Sequence, residues 1–482
     1  MLELTVCLDA EAETPLYQQI YEHLAGQIRC GGLKKGDRLP GKRNLAGQLA
    51  VAVNTVDTAY QMLVAEGYLE ARERSGFFVL EYAGAPSWAG LAAEEAGKAE
   101  EAPPSPAPRF DLSTGAVDTA LFPFRTWGRL QKELLYNGSE LLRHGHRQGD
   151  MELRRELAEY LRSYRGVVCT PEQIVVGAGV EYLLGLLAQL LRGSVAAVEN
   201  PGYDRPRTIL ENNGIPCRCV DIDGGGLDPA GLEESGADLC YVTPSHHFPT
   251  GVTMPAGRRA QLLRWAGEKP GRYILEDDYD AEFRFDVRPL PSLQGMAGGA
   301  GRVVYLCTFS KSLAPSIRIA CMVLPGELLE RYRTAFGTYS NTVSRFEQQT
   351  LRRFLEGGYF TRHLARMRSA YKGRMERLAG ALEEAFGREN IRLKGRHTGL
   401  HLLLTLPGGP GEAEMTASAL REGVRVRGLG EYYMERRERC PDNSVILGYA
   451  AVRDEEIPEL AGALKRAWAA RALPDQPLGG AQ

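Results

Sequence analysis

The sequence predicts two folded parts of different classes: a small N-terminal winged helix-turn-helix and a larger α/β domain. Three helical apolar patterns followed by a hairpin predict the first part. Apolar runs of strand length that alternate with helical patterns predict the second, a mostly parallel seven-stranded sheet with helices on both faces. A length of 482 residues agrees with this division, because it exceeds what one hydrophobic core usually organises.

Composition excludes several classes of protein. Hydrophobic residues make up 44% and charged residues 25% of the chain, which is typical of a soluble globular protein, and no apolar run has the length of a membrane span. The start, "MLELTVCLDAEAE", lacks the basic, apolar and small-residue order of a signal peptide, so we expect a cytoplasmic protein with no membrane contact. The nine cysteines and eight histidines show no metal-binding spacing, so no metal is predicted.

The N-terminal helices follow from apolar periodicity. The first carries an apolar residue at every fourth position: Leu16, Ile20, Leu24 and Ile28. A second helix is predicted over 43–49 and a third over 54–66, which Gly67 ends. The stretch "YLEARERSGFFVL" predicts two short strands around a turn at Glu73 to Gly76, the wing.

Composition also predicts the domain boundaries. Residues 1–82 are predicted to form the winged helix-turn-helix domain, and 83–108, rich in Ala, Pro, Glu and Gly, a linker. A short surface helix over 92–101 is an alternative that leaves the boundary unchanged. The large domain spans 109–472, and 473–482 form a flexible tail.

Seven apolar runs form the predicted sheet: "QIVVGAG", "SVAAVEN", "IPCRCVDI", "LCYVTP", "RYILEDD", "RVVYLCTF" and "IACMVLP". In such sheets ligands bind at the carboxyl ends of the strands. The polar residues at two of these ends are Asp277, Tyr279, Thr308, Ser310 and Lys311. The first run continues into Gly-Ala-Gly and a helix, an arrangement that favours an anion.

These residue types suit a phosphorylated aldehyde. The amine of Lys311 could form a Schiff base with an aldehyde carbon, and the carboxylate of Asp277 could keep a pyridine nitrogen protonated. The phenol of Tyr279 could bond a ring hydroxyl, and Arg318 with nearby hydroxyls could hold a phosphate. Each element alone has a plainer interpretation, as a solvated loop, an acidic turn or a tight connection. Their order and placement together favour the site.

Two long stretches carry a resemblance to known families. "EDDYDAEFRF" followed by "TFSKSLAPSIRIACMVLP" resembles the aminotransferase-like, fold type I pyridoxal-phosphate module. The stretch from "TPLYQQIYEHLAGQIRCGG" to "YLEARERSGFFV" resembles a GntR-type winged helix. From Thr14 to about Ala470, the whole chain resembles a MocR/GabR-type transcriptional regulator.

The resemblance implies roles for the matching positions. The family binds pyridoxal 5'-phosphate, and Lys311 matches its Schiff-base lysine. Asp277 matches the partner of the pyridine nitrogen, Tyr279 the phenol at the ring hydroxyl, and Arg318 the phosphate arginine. The other implied cofactor contacts are the backbone amides of Gly179 and Val180, and Thr308, Ser310 and His246. His247 is an alternative to His246. Tyr203 and Arg205, in "ENPGYDRPR", match the effector-pocket tyrosine and arginine. A turn with an exposed arginine is the alternative there. The resemblance also implies a homodimer.

Several positions depart from the family pattern. Phe248 stands where aminotransferases carry an asparagine, and His144 stands where they carry a tyrosine that reaches the neighbouring subunit's cofactor. Side chains at 180–182 are less polar than is usual beside the phosphate. No arginine lies in "SVILGYA", where aminotransferases hold the substrate carboxylate; the candidates to replace it are Arg427, Arg436 and Arg437. We therefore expect multiple-turnover transamination to be absent or slow.

Contacts to double-stranded operator DNA are predicted from local charge. Between Arg29 and Arg43 lie six basic residues and one acidic, although the whole chain has a net charge of −3. The candidate contacts are Lys42, Arg43, Asn54, Thr55, Arg74 and Ser75. Gly41, Lys42 and Val53 replace the serines and the arginine that the family usually has.

Two functions of different classes remain open. The first is a transcriptional regulator whose aminotransferase-like domain senses pyridoxal phosphate and an amine or amino-acid effector. The second is a working aminotransferase with an appended DNA-binding domain. A DNA-binding protein whose second domain only dimerises is a third, weaker alternative, which Lys311, Asp277 and Tyr279 argue against.

Overall fold

The structure is a computed structural model that describes residues 8–9, 12, 14–73, 75–81, 108–285, 290–299, 301–435 and 437–469. The predictions for the linker residues 83–107, the tail 473–482, Arg74 and Arg436 lie outside these residues. The chain divides into two compact units, residues 1–106 and 107–482, and each is described by itself.

The first unit contains three helices and a hairpin: α1 (Leu16–Arg29), α2 (Lys42–Leu49), α3 (Val53–Ala65), β1 (Leu69–Arg72) and β2 (Gly76–Val79). Both α2 and α3 begin one residue earlier than the periodicity predicts, because the extended backbone ends at Gly41 and Ala52. The apolar faces of the helices and the hairpin enclose one core around Tyr60. Its hydroxyl donates to the carbonyl of Pro40, 2.9 Å away, and so fixes the segment that leads into α2.

The second unit contains twelve further helices in the described residues: α4 (Phe124–Asn137), α5 (Met151–Arg165), α6 (Val180–Leu190), α7 (Asp204–Asn212), α8 (Pro229–Glu234), α9 (Ala256–Glu268), α10 (Leu293–Met296), α11 (Gly326–Ala335), α12 (Arg345–Glu356), α13 (Tyr359–Phe386), α14 (Glu412–Arg421) and α15 (Ile457–Ala469). Its strands are β3 (Phe110–Asp111), β4 (Ile174–Gly177), β5 (Ala196–Asn200), β6 (Cys217–Asp223), β7 (Gly226–Leu227), β8 (Leu239–Val242), β9 (Tyr273–Asp278), β10 (Val303–Thr308), β11 (Ala320–Val323), β12 (Arg392–Lys394), β13 (His401–Thr405), β14 (Val424–Arg425), β15 (Arg427–Gly428) and β16 (Ser444–Gly448). None of the described helices combines the length and apolarity that crossing a membrane requires.

The main sheet has the order β4-β11-β10-β9-β8-β5-β6-β7. All seven predicted strands are present. β7, which the sequence analysis missed, is a two-residue strand that turns back antiparallel on β6 and makes the described sheet eight-stranded. The strands from β10 to β6 are parallel, and β11 is antiparallel to both of its neighbours. Apolar clusters on both faces of the sheet make it a buried central layer.

A smaller sheet, β12-β13-β16-β15, packs with α13, α14 and α15 around a separate hydrophobic core. The strand β3 pairs in parallel with β14 in a separate two-stranded sheet. The N–H of Gly448, the last residue of β16, donates to the carbonyl of Leu112 at 2.7 Å and ties the segment after β3 to the smaller sheet. The segments that follow β3 and precede β13 lie beside the carboxyl ends of β8, β9 and β10. This arrangement encloses the cavity described next.

Candidate active site and DNA-reading unit

A cavity of about 260 Å³ lies at the carboxyl ends of β8, β9 and β10. It is lined by Thr114, Gly115, Val180, Glu181, Leu184, Tyr203, Arg205, Pro206, Ile209, Tyr241, Thr243, Phe248, Asp277, Tyr279, Asp280, Thr308, Ser310, Lys311, Pro315, Arg318, Leu400 and His401. Most of the predicted cofactor and effector residues are among them. Gly179 borders the cavity through Arg318, and His246 lies behind Tyr279 instead of on the wall.

Asp277 is a buried carboxylate with one oxygen unpaired. Its Oδ2 accepts a hydrogen bond from the hydroxyl of Tyr241, whereas its Oδ1 has no hydrogen-bond partner among the described residues. Burial raises the pKa of Asp277 to about 7. A buried acceptor of this kind suits a protonated ring nitrogen, which would supply the missing donor and favour the ionised carboxylate.

Lys311 follows β10 and is partly buried. Its Nζ donates to the carbonyl oxygens of Thr114 at 2.5 Å and Gly115 at 3.1 Å. Burial lowers the pKa of the Lys311 ammonium to about 8, against the opposing effect of Asp280. A lysine with such a pKa has an appreciable neutral fraction near pH 7.5, and the neutral amine is the nucleophile.

Tyr279 belongs to a buried polar network. Its hydroxyl lies 3.0 Å from Nδ1 of His246, which lies 2.8 Å from Oδ2 of Asp280. Burial and the negative charge of Asp280 raise the pKa of Tyr279 well above its usual value. The phenol therefore stays protonated at neutral pH. His247 does not join this network, because its Nδ1 lies 2.8 Å from the hydroxyl of Thr250.

The predicted phosphate region combines a helix start with an arginine. Gly179 has φ +96°, a backbone conformation that favours glycine, and a Cβ there would lie 2.4 Å from Nη2 of Arg318. The next residue begins α6, whose first-turn N–H groups lack intrahelical acceptors. The hydroxyls of Thr308 and Ser310 lie 3.0 Å apart on the same cavity wall. These donors suit an anion.

Tyr203 and Arg205 form the outer wall. The guanidinium of Arg205 lies 5.7 Å from the ring centroid of Tyr203, and the ring of Phe248 packs edge-on against Tyr203 at 5.8 Å. Burial raises the pKa of Tyr203 to about 12. Phe248 thus contributes an apolar surface to the cavity.

Two of the arginines considered for carboxylate binding have other partners. Arg427 pairs with Glu431 at 3.1 Å, and Arg437 pairs with Glu412 at 3.3 Å. Neither lines the cavity, whose two described arginines are Arg205 and Arg318. His144 is exposed, and it too lies outside this cavity.

Several residues that line the cavity were not predicted from the sequence: Thr114, Gly115, Glu181, Tyr241, Asp280 and His401. Tyr241 had a usable signal, since it lies near the end of a predicted strand. His401 lies on another sheet, with its ring centroid 4.7 Å from that of His246. With Asp280 these two histidines are spaced closely enough to share a metal ion, but Nδ1 of His246 already contacts Asp280, and Nε2 of His401 contacts the carbonyl of Pro249.

The first unit displays most of its predicted DNA contacts. Arg43, Asn54 and Ser75 are exposed, and Thr55 is partly exposed at the start of α3. Lys42 differs, because its ammonium pairs with Asp57 and lies 5.2 Å from the ring centroid of Phe77. Lys42 therefore also ties α2 to α3 and the hairpin.

Comparisons with known proteins agree with this architecture. The family "Bacterial regulatory proteins, gntR family" matches residues 16–79, and "Aminotransferase class I and II" matches residues 108–464. The HTH-type transcriptional regulator YdeL of Bacillus subtilis is 38% identical over 97% of this chain and 100% of that protein. The protein named "Probable rhizopine catabolism regulatory protein MocR" of Rhizobium meliloti is 32% identical over 96% of each.

A solved structure extends the comparison to the cofactor. The α-aminoadipate aminotransferase LysN of Thermus thermophilus, complexed with N-(5'-phosphopyridoxyl)-L-leucine, is 26% identical, with a TM-score of 0.65 over 74% of this chain and 91% of its own. The fold type I class and the pyridoxal phosphate cofactor expected from the sequence are thereby confirmed. The chain belongs to the MocR-type transcriptional regulators, in which a gntR-family winged helix is joined to an aminotransferase-like domain that uses pyridoxal phosphate.

Proposed function

We propose that this regulator senses pyridoxal phosphate, and an amine or amino-acid effector, in the cavity beside Lys311, and that the sensing changes its binding to operator DNA. One observation carries the proposal. A lysine with a depressed pKa and a buried carboxylate with an unpaired oxygen line the same cavity. Because the target is operator DNA, we place the protein in the cytoplasm.

The side chains present fit the cofactor. Oδ1 of Asp277 would accept from the ring nitrogen, the phenol of Tyr279 would bond the ring hydroxyl, and Arg318 with the first turn of α6 would hold the phosphate. When bound, the cofactor supplies an aldehyde carbon that condenses with primary amines, with loss of water, and a ring that draws electrons. Lys311 supplies the amine. His246 positions Tyr279 from behind.

The effector contacts belong to the outer wall. Arg205 lies beside Tyr203 on the cavity wall, and a guanidinium suits an effector carboxylate. The described candidates Arg427 and Arg437 do not line the cavity, and Phe248 offers no hydrogen-bonding side chain. These features favour sensing over rapid turnover. The alternative is an aminotransferase with an appended DNA-binding domain.

The pKa of Lys311 predicts how cofactor capture depends on pH. Capture needs the neutral amine, so its rate should rise about tenfold per pH unit below the pKa of about 8 and level off above it. The measurement is the visible absorbance change after mixing cofactor-free protein with pyridoxal phosphate at pH 6 to 10. N-acetyl-lysine methylamide is the control for the cofactor's own titration. The rate at which this free amine reacts with pyridoxal phosphate should keep rising to about pH 10, near the ordinary pKa of lysine. The same late rise in the protein would contradict the lowered pKa.

DNA binding through α2 and α3 predicts a specific salt effect for Arg43→Ala. If this exposed guanidinium meets a phosphate, its loss should weaken binding to all sequences and reduce the slope of log K against log salt by about one unit. Fluorescence anisotropy at several salt concentrations measures the slope. Arg388→Ala is the matched control, since it removes an exposed arginine from the other unit. An unchanged slope for Arg43→Ala would remove Arg43 from the interface.

A homodimer would explain the apolar surface of the segment around α4. Phe124, Leu135, Tyr136 and Leu142, here called the α4 patch, have 66 to 78% of their surface exposed. Exposed apolar side chains that form a contiguous patch mark interaction surfaces. We propose that a second copy of this chain covers the α4 patch and that the dimer reads two DNA half-sites.

A further inference from the structure

Glu181 lies between the two arginines of the cavity. Its Oε1 accepts from Nη1 of Arg205 at 2.8 Å, and its Oε2 accepts from Nη2 of Arg318 at 3.0 Å. All three side chains are about half exposed on the cavity wall. Arg318 also donates from Nη2 to the carbonyl of Ala178 at 3.3 Å. One carboxylate thus occupies the arginine assigned above to the cofactor phosphate.

The position of Glu181 makes it a substitute for an anionic ligand. It is the second residue of the eleven-residue helix α6, directly after the start at Val180. The partial positive charge at the start of α6 stabilises a negative group beside it, and the guanidinium of Arg318 adds a full positive charge. A phosphate that bound here would displace the carboxylate from Arg318 or lie against it, and like charges at this distance repel. Each outcome weakens the binding of a phosphate.

We propose that Glu181 is an internal competitor that keeps the affinity for the cofactor phosphate low. This inference rests on the proposed function, and it adds a reason why the site can respond to the concentration of pyridoxal phosphate: the cofactor binds reversibly instead of remaining bound. The selectivity follows from the same geometry. Pyridoxal lacks the phosphate, so Glu181 opposes pyridoxal phosphate and leaves pyridoxal unaffected.

The test compares two ligands in three full-length proteins: wild type, Glu181→Gln and Glu211→Gln. Glu211 is a matched control, because it pairs with Arg207 at 2.9 Å on the neighbouring helix α7 and does not line the cavity. Equilibrium titration followed by absorbance gives the Kd for pyridoxal phosphate and for pyridoxal. Competition between inorganic phosphate and pyridoxal phosphate gives the Kd for inorganic phosphate.

For Glu181→Gln we expect a Kd for pyridoxal phosphate at least tenfold lower, a Kd for pyridoxal within twofold of wild type, and stronger competition by inorganic phosphate. Glu211→Gln should behave as wild type. An unchanged or weaker affinity of Glu181→Gln for pyridoxal phosphate would overturn the inference. An affinity for pyridoxal that rose by the same factor would overturn it as well. If neither wild type nor Glu181→Gln attached pyridoxal phosphate at Lys311, the proposed function itself would fail, which is a distinguishable result.

Discussion

Replacing Lys311 with alanine is expected to abolish covalent attachment of pyridoxal phosphate. The alanine has no amine, and no other lysine lines the described cavity. Wild-type protein incubated with the cofactor and then reduced with borohydride should carry one label per chain, located at Lys311 by peptide mass spectrometry. The variant should carry none at this position.

Two controls separate this chemistry from folding. Lys311→Ala removes two hydrogen bonds to backbone carbonyls, and because Gly115 is exposed, water can replace the ammonium at that carbonyl. Lys311→Arg keeps a positively charged donor but does not form the covalent link, so it should also remain unlabelled. Lys394→Ala, on β12, removes an exposed lysine and should be labelled as wild type is. A label on another lysine of the wild-type protein would refute the assignment.

Placing a charge in the α4 patch should cause the second large effect. The single variant Leu142→Asp and the double variant Tyr136→Asp/Leu142→Asp would each place a carboxylate in the proposed dimer interface. Burying a charge without an oppositely charged partner costs free energy. We expect monomers in light scattering. The affinity for an operator with two half-sites should fall about a hundredfold or more, because two linked reading heads gain that factor from effective concentration.

Leu420→Asp provides the comparison for this experiment. Leu420 is 51% exposed at the end of α14, outside the α4 patch, so its replacement should change neither the mass nor the affinity. Binding to a single half-site should be similar in all the variants. A Leu142→Asp protein that remained dimeric and bound the full operator normally would place the interface elsewhere.

The sequence allowed the fold and the centre of the site to be predicted for a physical reason. Parallel strands bring their carboxyl ends to one edge, so Asp277 and Lys311, at the ends of two apolar runs, were expected to meet. The periodic apolar residues of α1 likewise defined a helix face. These features depend on local patterns that a single segment carries.

Other parts of the site depend on contacts between distant segments. Thr114 and Gly115 meet Lys311 through their backbone carbonyls, and such contacts leave no side-chain pattern. Glu181 bonds two arginines 24 and 137 positions away, so its role required coordinates. Conversely, Lys42 was expected only at the DNA, whereas its pairing with Asp57 shows a structural contribution as well.

The bonds from Lys311 to Thr114 and Gly115 make the start of the second unit sensitive to the chemical state of one nitrogen. A protonated amine offers three hydrogens, and an amine joined to a carbonyl carbon offers at most one. Its two backbone acceptors must then exchange one donor for another or shift. Those acceptors lie three and four residues after Asp111, the last residue of β3. A change of covalent bonding at Lys311 would therefore change the hydrogen bonding of the backbone that follows β3, the first described strand of the second unit.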